Sequence, residues 1–445
     1  MHDSFYGSVP RNPRPSPAAL PAPLRAAPLA LLRRALLAAL CACSLAPAAA
    51  SAASESAALQ ADLGHQLAIA GPLSGAYVYD LTSHQALLTE RAETLRPPAS
   101  VEKLYTATTA LELMGATARL STTVLGSGHL APGGIWEGNL YLRGGGDPTF
   151  GTSSFIHSHY GGQGSSVSAL AGQLVRTDGI HRISGAIEGD ETYFDSLRGE
   201  PSSDFGSDPF LEGTLSGLAF NRGASGSVKK PPPHAPAAYA AHQLLAALKA
   251  DGVTIHGTSG AASTPPGATQ LAQVQSPTLT TLLGLTLPPS DNFFAETLLK
   301  DLGARFGGAG TTAAGAAVVR QTIAKLLGFS PHVLDGSGLS AADLTSPYEV
   351  ADLLVELAPT PIGAVLRSDL AVAGHTGTLS ERMRRTGAAG RCQGKTGTLT
   401  GVSNLAGYCQ TRDGHLLAFA LFTDGIATAT AHTIQDHMTI SIADY

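Results

Sequence analysis

Hydrophobic and polar residues change their spacing several times along the chain, and each change marks an element. An apolar run over residues 35–45 comes first, behind Arg33 and Arg34 and ahead of a small-residue stretch at 46–53. Alternation of period two then runs through residues 75–81 and 85–90 around Thr82-Ser83-His84, which predicts a hairpin, because successive strand residues face opposite sides of a sheet. After Pro97-Pro98 the spacing turns helical: Leu104, Ala107, Thr108 and Leu111 share one face of a helix beginning at about Ser100. From about 122 to 260, short alternating stretches (138–142, 185–187, 253–255) are separated by glycine-rich turns such as Gly144-Gly145-Gly146-Asp147-Pro148. One clear helix, 237–250, interrupts them. Helical spacing returns at 279–287, 292–306, 312–327 and 346–357. Strands follow at 391–398, 403–410 and 415–423, then a terminal helix with Ile434, Met438 and Ile442 at i, i+4 and i+8. There is no tandem repeat. The simplest assembly is an α+β fold, with one sheet built from both chain ends and helices plus a long insertion between them.

Composition narrows this picture. At 445 residues, 43% hydrophobic and 14% charged, the chain can build two or three cored domains and is not disordered. The first 54 residues hold five arginines and one aspartate, leaving 23 basic against 33 acidic side chains beyond them, a balance that disfavours nucleic acid as a partner. Charge, short apolar core and Ala-x-Ala exit over residues 1–54 read as a cleaved export signal, the core being too short for a permanent span. Leu40-Cys41-Ala42-Cys43 leaves lipidation at Cys43 as an alternative, and the long preamble leaves a downstream start codon open. Beyond the signal only Cys392 and Cys409 remain. The hairpin predicted at 391–410 sets them nearly opposite, so an exported chain would bridge them.

Lysine is scarce, with seven in the chain, and two of them occupy informative places. Ser100-Val101-Glu102-Lys103 puts a hydroxyl and an amine one helical turn apart, so that a neutral lysine can take the serine proton during nucleophilic attack. Ser227-Val228-Lys229-Lys230 has the same spacing, but three prolines follow it and prevent a regular helix. Ser290-Asp291-Asn292 follows two prolines and opens a helix; by itself it is a good helix cap. Lys395-Thr396-Gly397-Thr398 lies on a predicted strand, where Gly397 would admit a ligand backbone and Lys395 and Thr398 would hold an anion. His375-Thr376-Gly377-Thr378 nearly copies it but precedes a stretch, 379–385, that reads as helix. The fifteen histidines show no His-Glu-x-x-His metal spacing.

These elements, with Gly145-Gly146-Asp147-Pro148-Thr149, the run from Ser290 to Glu296, Asp335-Gly336-Ser337-Gly338-Leu339-Ser340 and Gly394–Leu399, together resemble the D-alanyl-D-alanine carboxypeptidase/endopeptidase family of class C penicillin-binding proteins, peptidase family S13, over about residues 74–425. The resemblance implies a penicillin-binding/β-lactamase-like serine transferase fold, an antiparallel sheet with helices, carrying a β-rich inserted domain. The expected layout is 55–120 and 278–445 for the catalytic domain and 121–277 for the insertion. It implies that Ser100 attacks the carbonyl between two D-alanines and that Lys103 is the base, its proton affinity lowered by Lys395. Ser290 would relay the proton to the leaving amine, Asn292 would hold the substrate amide, and Lys395, Thr396, Gly397 and Thr398 would bind the carboxylate. The backbone amides of Ser100 and Thr398 would face the oxyanion.

No metal or organic cofactor is implied. The expected partners are peptidoglycan stem peptides, with β-lactams as covalent inhibitors, and the expected location is the exported, cell-envelope face. An arginine that such enzymes often carry after the Asp-Gly-Ser-Gly-Leu-Ser segment is Ala341 here, which puts a diaminopimelate-type stem in question unless Arg382 or Arg384 compensates. An acidic partner in the insertion is expected at Asp204 or Asp208. Two other readings stand beside the peptidase: a β-lactamase or small-ester hydrolase on the same fold, and a non-catalytic envelope-binding protein.

Overall fold

The computed structural model describes residues 55–223 and 235–445. The proposed export signal and the second Ser-x-x-Lys at 227–230 therefore lie outside the described residues. The chain opens with a helix at residues 55–70 (α1) and the hairpin β1 (Gly75–Asp80) and β2 (Gln85–Glu90). A single 3₁₀ turn, Ala99–Glu102, leads directly into helix α2 (Lys103–Met114), slightly later than the sequence pattern places the helix start.

Residues 121–275 supply all seven strands of a second sheet: β3 (Ser121–Ala131), β4 (Ile135–Gly144), β5 (Arg182–Ile183), β6 (Ile187–Asp190), β7 (Thr254–Ile255), β8 (Ser259–Ala261) and β9 (Thr269–Gln275). β3 pairs antiparallel with β4 and β9, whereas β4–β5, β4–β6, β5–β7 and β6–β8 are parallel. Among the described residues three α-helices accompany them rather than the one expected: α3 (Ser153–Tyr160), α4 (Val167–Arg176) and α5 (Pro236–Ala250). α4 carries a legible signal, with Val167, Leu170, Ala171 and Leu174 buried on one face behind the capping hydroxyl of Ser166. α3 is short and serine- and histidine-rich, with only Ile156 and Tyr160 buried, so its period is faint.

The chain then returns through α6 (Leu279–Thr286), α7 (Asn292–Phe306), α8 (Thr312–Leu327), α9 (Pro347–Leu357) and α10 (Pro361–Ser368). It finishes the first sheet with β10 (Ala371–Val372), β11 (Cys392–Leu399), β12 (Val402–Gln410) and β13 (Leu416–Asp424), and ends in α11 (Thr428–Asp444). That sheet runs β10-β11-β12-β13-β1-β2, every pair antiparallel. The stretch after Thr378 is a 3₁₀ turn at Gly377–Leu379 followed by turns, not the expected helix.

β12 and β13 are buried almost without interruption because both faces of this sheet are covered. Alternate residues sort accordingly. Leu405, Cys409, Leu417, Phe419 and Leu421 join Ile434, Met438 and Ile442 of α11, while Ala406, Tyr408, Ala418, Ala420 and Phe422 join Leu104, Ala107 and Leu111 of α2. Cys392 and Cys409 are direct partners across β11 and β12, their Cα atoms 4.1 Å apart, and form a disulfide. No described helix is long and apolar enough to cross a membrane.

Candidate active site

Ser100 stands on the 3₁₀ turn that feeds α2, between the helix and β11. Two glycines let the chain close around that turn. A Cβ at Gly338 (φ +77°) would lie 1.9 Å from the Ala99 carbonyl oxygen, and one at Gly397 would lie 2.5 Å from the Pro98 oxygen and 3.1 Å from the Ser100 nitrogen. Asn404 Nδ2 fixes the same segment, donating to the carbonyls of Pro97 (2.9 Å) and Pro98 (3.0 Å). Ala99 itself adopts φ +48°, a conformation that costs a non-glycine residue. The space that a side chain at 397 would take is filled by the protein's own Pro98–Ser100 backbone.

One turn further, Lys103 is buried and donates to three acceptors: Ser100 Oγ at 2.9 Å, Asn292 Oδ1 at 2.6 Å and the Ser337 carbonyl at 2.7 Å. These use all three N–H bonds of an ammonium group. Loss of the proton on the Ser100 side would leave a lone pair aimed at the hydroxyl. Burial lowers the Lys103 pKa to about 8, against the opposing pull of Asp335, Glu296, Asp291 and Glu102. The dominant cause is thus desolvation rather than Lys395. The repulsion acts visibly on the other partner: Lys395 is pushed well below the ordinary lysine range, first by burial and then by the charge of Lys103.

Lys395 donates to Ser290 Oγ (2.8 Å) and to its neighbour's carbonyl at Thr396 (2.8 Å). The Thr396 hydroxyl donates to Thr378 Oγ1 at 2.8 Å, which links β11 to the near-copy motif at 375–378. Thr398 is exposed on β11 opposite Ser403. Ser290 sits at φ +66° immediately before Asp291, which caps α7 by accepting from the Phe294 amide at 2.9 Å. Asp291 also takes two bonds from the buried Arg222, at 2.5 and 3.1 Å, tying the insertion to the start of α7. Sequence reasoning missed Arg222, for which no local pattern exists. Asn292 spends both ends of its amide, since Nδ2 donates to the Phe210 carbonyl at 2.8 Å.

The remaining sequence candidates are engaged elsewhere. Arg382 is paired with Asp436 (2.8 Å) and bonds Gln435 on α11, so it does not substitute for an arginine at 341. Arg384 pairs with Glu381. Asp208 caps the 3₁₀ turn Pro209–Leu211 by accepting from the Phe210 amide at 2.8 Å, and Asp204 closes the preceding turn in a left-handed conformation.

A part-buried serine bonded to a buried lysine between a helix and an antiparallel sheet, with a second sheet inserted, places the chain among the penicillin-binding, β-lactamase-like enzymes. The fold resembles penicillin binding protein 4 of Haemophilus influenzae with a TM-score of 0.70 and 20% identity, covering 84% of this chain and 96% of that one. The same protein complexed with a β-lactam gives 0.64 at 20% identity and the same coverage. The sequence matches the D-Ala-D-Ala carboxypeptidase 3 (S13) family over residues 56–208 and 212–445, and the chain belongs to that family. It is 30% identical over 459 residues to the D-alanyl-D-alanine carboxypeptidase of Actinomadura sp. (strain R39), covering 85% of this chain and 82% of that protein.

Proposed function

We propose that this family member is an exported serine DD-peptidase that releases terminal D-alanine from peptidoglycan stem peptides and also opens D-alanyl cross-links through the same acyl-enzyme. The observation that carries the reading is the 2.9 Å bond between Lys103 Nζ and Ser100 Oγ, made by a buried lysine whose pKa is lowered to about 8. Residues 55–120 and 278–445 form the catalytic domain in this proposal and 121–277 the insertion. Membership of the two sheets supports that division.

In the proposed reaction Lys103 takes the Ser100 proton as Oγ bonds to the carbonyl carbon, and the Ser100 and Thr398 amides receive the oxyanion. The C–N bond then breaks. Ser290, hydrogen-bonded to Lys395, relays the proton taken up by Lys103 to the departing amine, and water later displaces Ser100 from the acyl carbon, returning a proton to Oγ. Asn292 Nδ2 exchanges Phe210 for the substrate amide, while Lys395, Thr396, Thr398 and the neighbouring Thr378 offer charge and hydroxyls to the terminal carboxylate. Penicillins enter the same route and stay on Ser100.

Mass spectrometry provides the test. The mature protein should gain one penicillin adduct on the peptide containing Ser100, and a Ser100→Ala variant should gain none. Pentapeptide muropeptides should lose one alanine, and cross-linked dimers should become monomers. Labelling of the alanine variant equal to the parent's, or unchanged muropeptides after prolonged incubation, would refute the assignment; rapid turnover of the adduct would point to a β-lactamase instead.

A further inference from the structure

Beneath Lys103 lies a group of carboxyls that the proposed reaction does not use. Glu296 stands on α7 one turn beyond Asn292 and is wholly buried. Its Oε1 accepts from the backbone amides of Gly336 (2.9 Å) and Ser337 (2.8 Å), while its Oε2 is buried with no hydrogen-bond partner. The peptide it grips belongs to Ser337, whose carbonyl holds Lys103 Nζ at 2.7 Å. Glu296 therefore acts on Lys103 through one residue.

Its surroundings decide its charge. Glu102 faces it from the 3₁₀ turn, buried and with Oε1 unpartnered. From the 335–343 loop come Asp335, which accepts from Ser337, Gly338 and Ser340, and Asp343, whose carboxyl meets that of Asp335 and whose Oδ2 is otherwise bare. Glu200 approaches from the insertion. The cations nearby are Lys103 and Lys300, and Lys300 is already paired with Asp195 at 2.6 Å. Lys395 lies beyond Lys103, and Asp291 is held by Arg222. Five buried carboxyls thus share one ammonium, and they cannot all ionise out of water. Among the described residues none is grouped to hold a metal ion. Burial pushes Glu296 up to about 8, Asp343 up to about 11 and Glu102 well above the usual range.

We propose that Glu296 is a positioning residue that works as a neutral carboxylic acid, its proton on Oε2, aiming the Ser337 carbonyl at Lys103 without adding negative charge beneath it. A charged Glu296 would hold the Lys103 proton more tightly and leave less neutral amine at pH 7; the neutral acid keeps the clamp and leaves Lys103 poised. The inference rests on Lys103 being the base.

Three measurements test it. Glu296→Ala removes the clamp, and penicillin acylation should fall about tenfold or more. Glu296→Gln, isosteric with the neutral acid, should restore the rate and keep the acid limb of the pH–rate profile in place. The infrared difference spectrum of parent minus Gln variant at pH 7 should show a protonated-carboxyl stretch. A carboxylate band there, an acid limb displaced about one pH unit downward in the Gln variant, a Gln variant that does not fold, or an Ala variant at the parental rate would overturn the proposal. If the parent itself is not acylated, the peptidase reading fails, and the infrared result still decides the charge of Glu296.

Discussion

Replacing Gly397 by alanine tests how Ser100, the proposed nucleophile, is held. The added Cβ would fall 2.5 Å from the Pro98 carbonyl oxygen, whereas carbon and carbonyl oxygen normally approach no closer than about 3.3 Å. About 0.8 Å of movement must be found among backbone atoms. Pro98 cannot yield easily, because its oxygen accepts from Asn404 Nδ2 and from the Val101 amide, and the next carbonyl, Ala99, is closed in by Gly338. The strand yields no more easily, since β11 is hydrogen-bonded along its length to β12 and fastened at its start by the disulfide. The displacement therefore reaches Ser100, whose Oγ must stay aligned with Lys103. A misplacement of this size costs about 10²-fold in rate, and overpacking costs about 1–3 kcal/mol in stability. Stopped-flow acylation by a fluorescent penicillin, with thermal melting as the control for folding, measures both. A folded Gly397→Ala variant acylated within about threefold of the parental rate would refute the argument that this contact positions the nucleophile.

Three further outcomes are expected. Because Lys103, as the proposed base, must lose its proton to act and its pKa is lowered to about 8, acylation should rise about tenfold per pH unit below that value and level off above it; a flat profile from pH 6 to 9 would exclude Lys103 as the base. Arg222→Ala leaves the carboxylate of Asp291 without its partner and should destabilise the protein by about 3–5 kcal/mol in urea unfolding; no loss would mean solvent replaces the guanidinium. The buried Asp80 accepts from the Thr82 and Ser83 amides and meets His415 Nδ1 at 2.7 Å, with the His415 pKa raised chiefly by that hydrogen bond. Its contribution to stability is complete below the unfolded histidine value of about 6.5 and is lost as pH rises through the folded one. Against desolvation, hydrogen bonds hold Asp80 below its ordinary value, so its share is present above about 3.9 and lost as pH falls further. His415→Ala should flatten the decline of melting temperature above pH 6.5, and an unchanged slope would remove the pair from that account.

Legibility followed the range of the signal. Ser100 and Lys103 lie within one turn, so their spacing alone puts hydroxyl and amine together. Hairpin periodicity likewise set Cys392 against Cys409, and α7 and α8 begin and end where their apolar spacing does. α4 was equally legible in its own ten residues but was hidden by the glycine-rich turns around it. The short stretches at 138–142, 185–187 and 253–255 touch β4, β6 and β7, but the parallel pairings β4–β6 and β5–β7 left no trace, because the partners lie more than forty residues apart.

The same distinction separates what each motif residue is from what it does. The strand pattern read Gly397 as room for a ligand, and the family resemblance made Lys395 the group that depresses Lys103. Packing adds what neither could show. The space beside Gly397 is taken by Pro98, some three hundred positions earlier, and desolvation by the whole core outweighs one neighbouring charge at Lys103. Asn292 makes the point most directly: its side chain joins Lys103 of α2 to Phe210 of the insertion. A residue whose two ends bond segments 189 and 82 positions away can be recognised as polar and well placed from sequence, but its partners exist only once the fold has closed. If substrate binds at Asn292 as proposed, it displaces a contact with the insertion, and the 201–213 segment then enters the reaction's energetics.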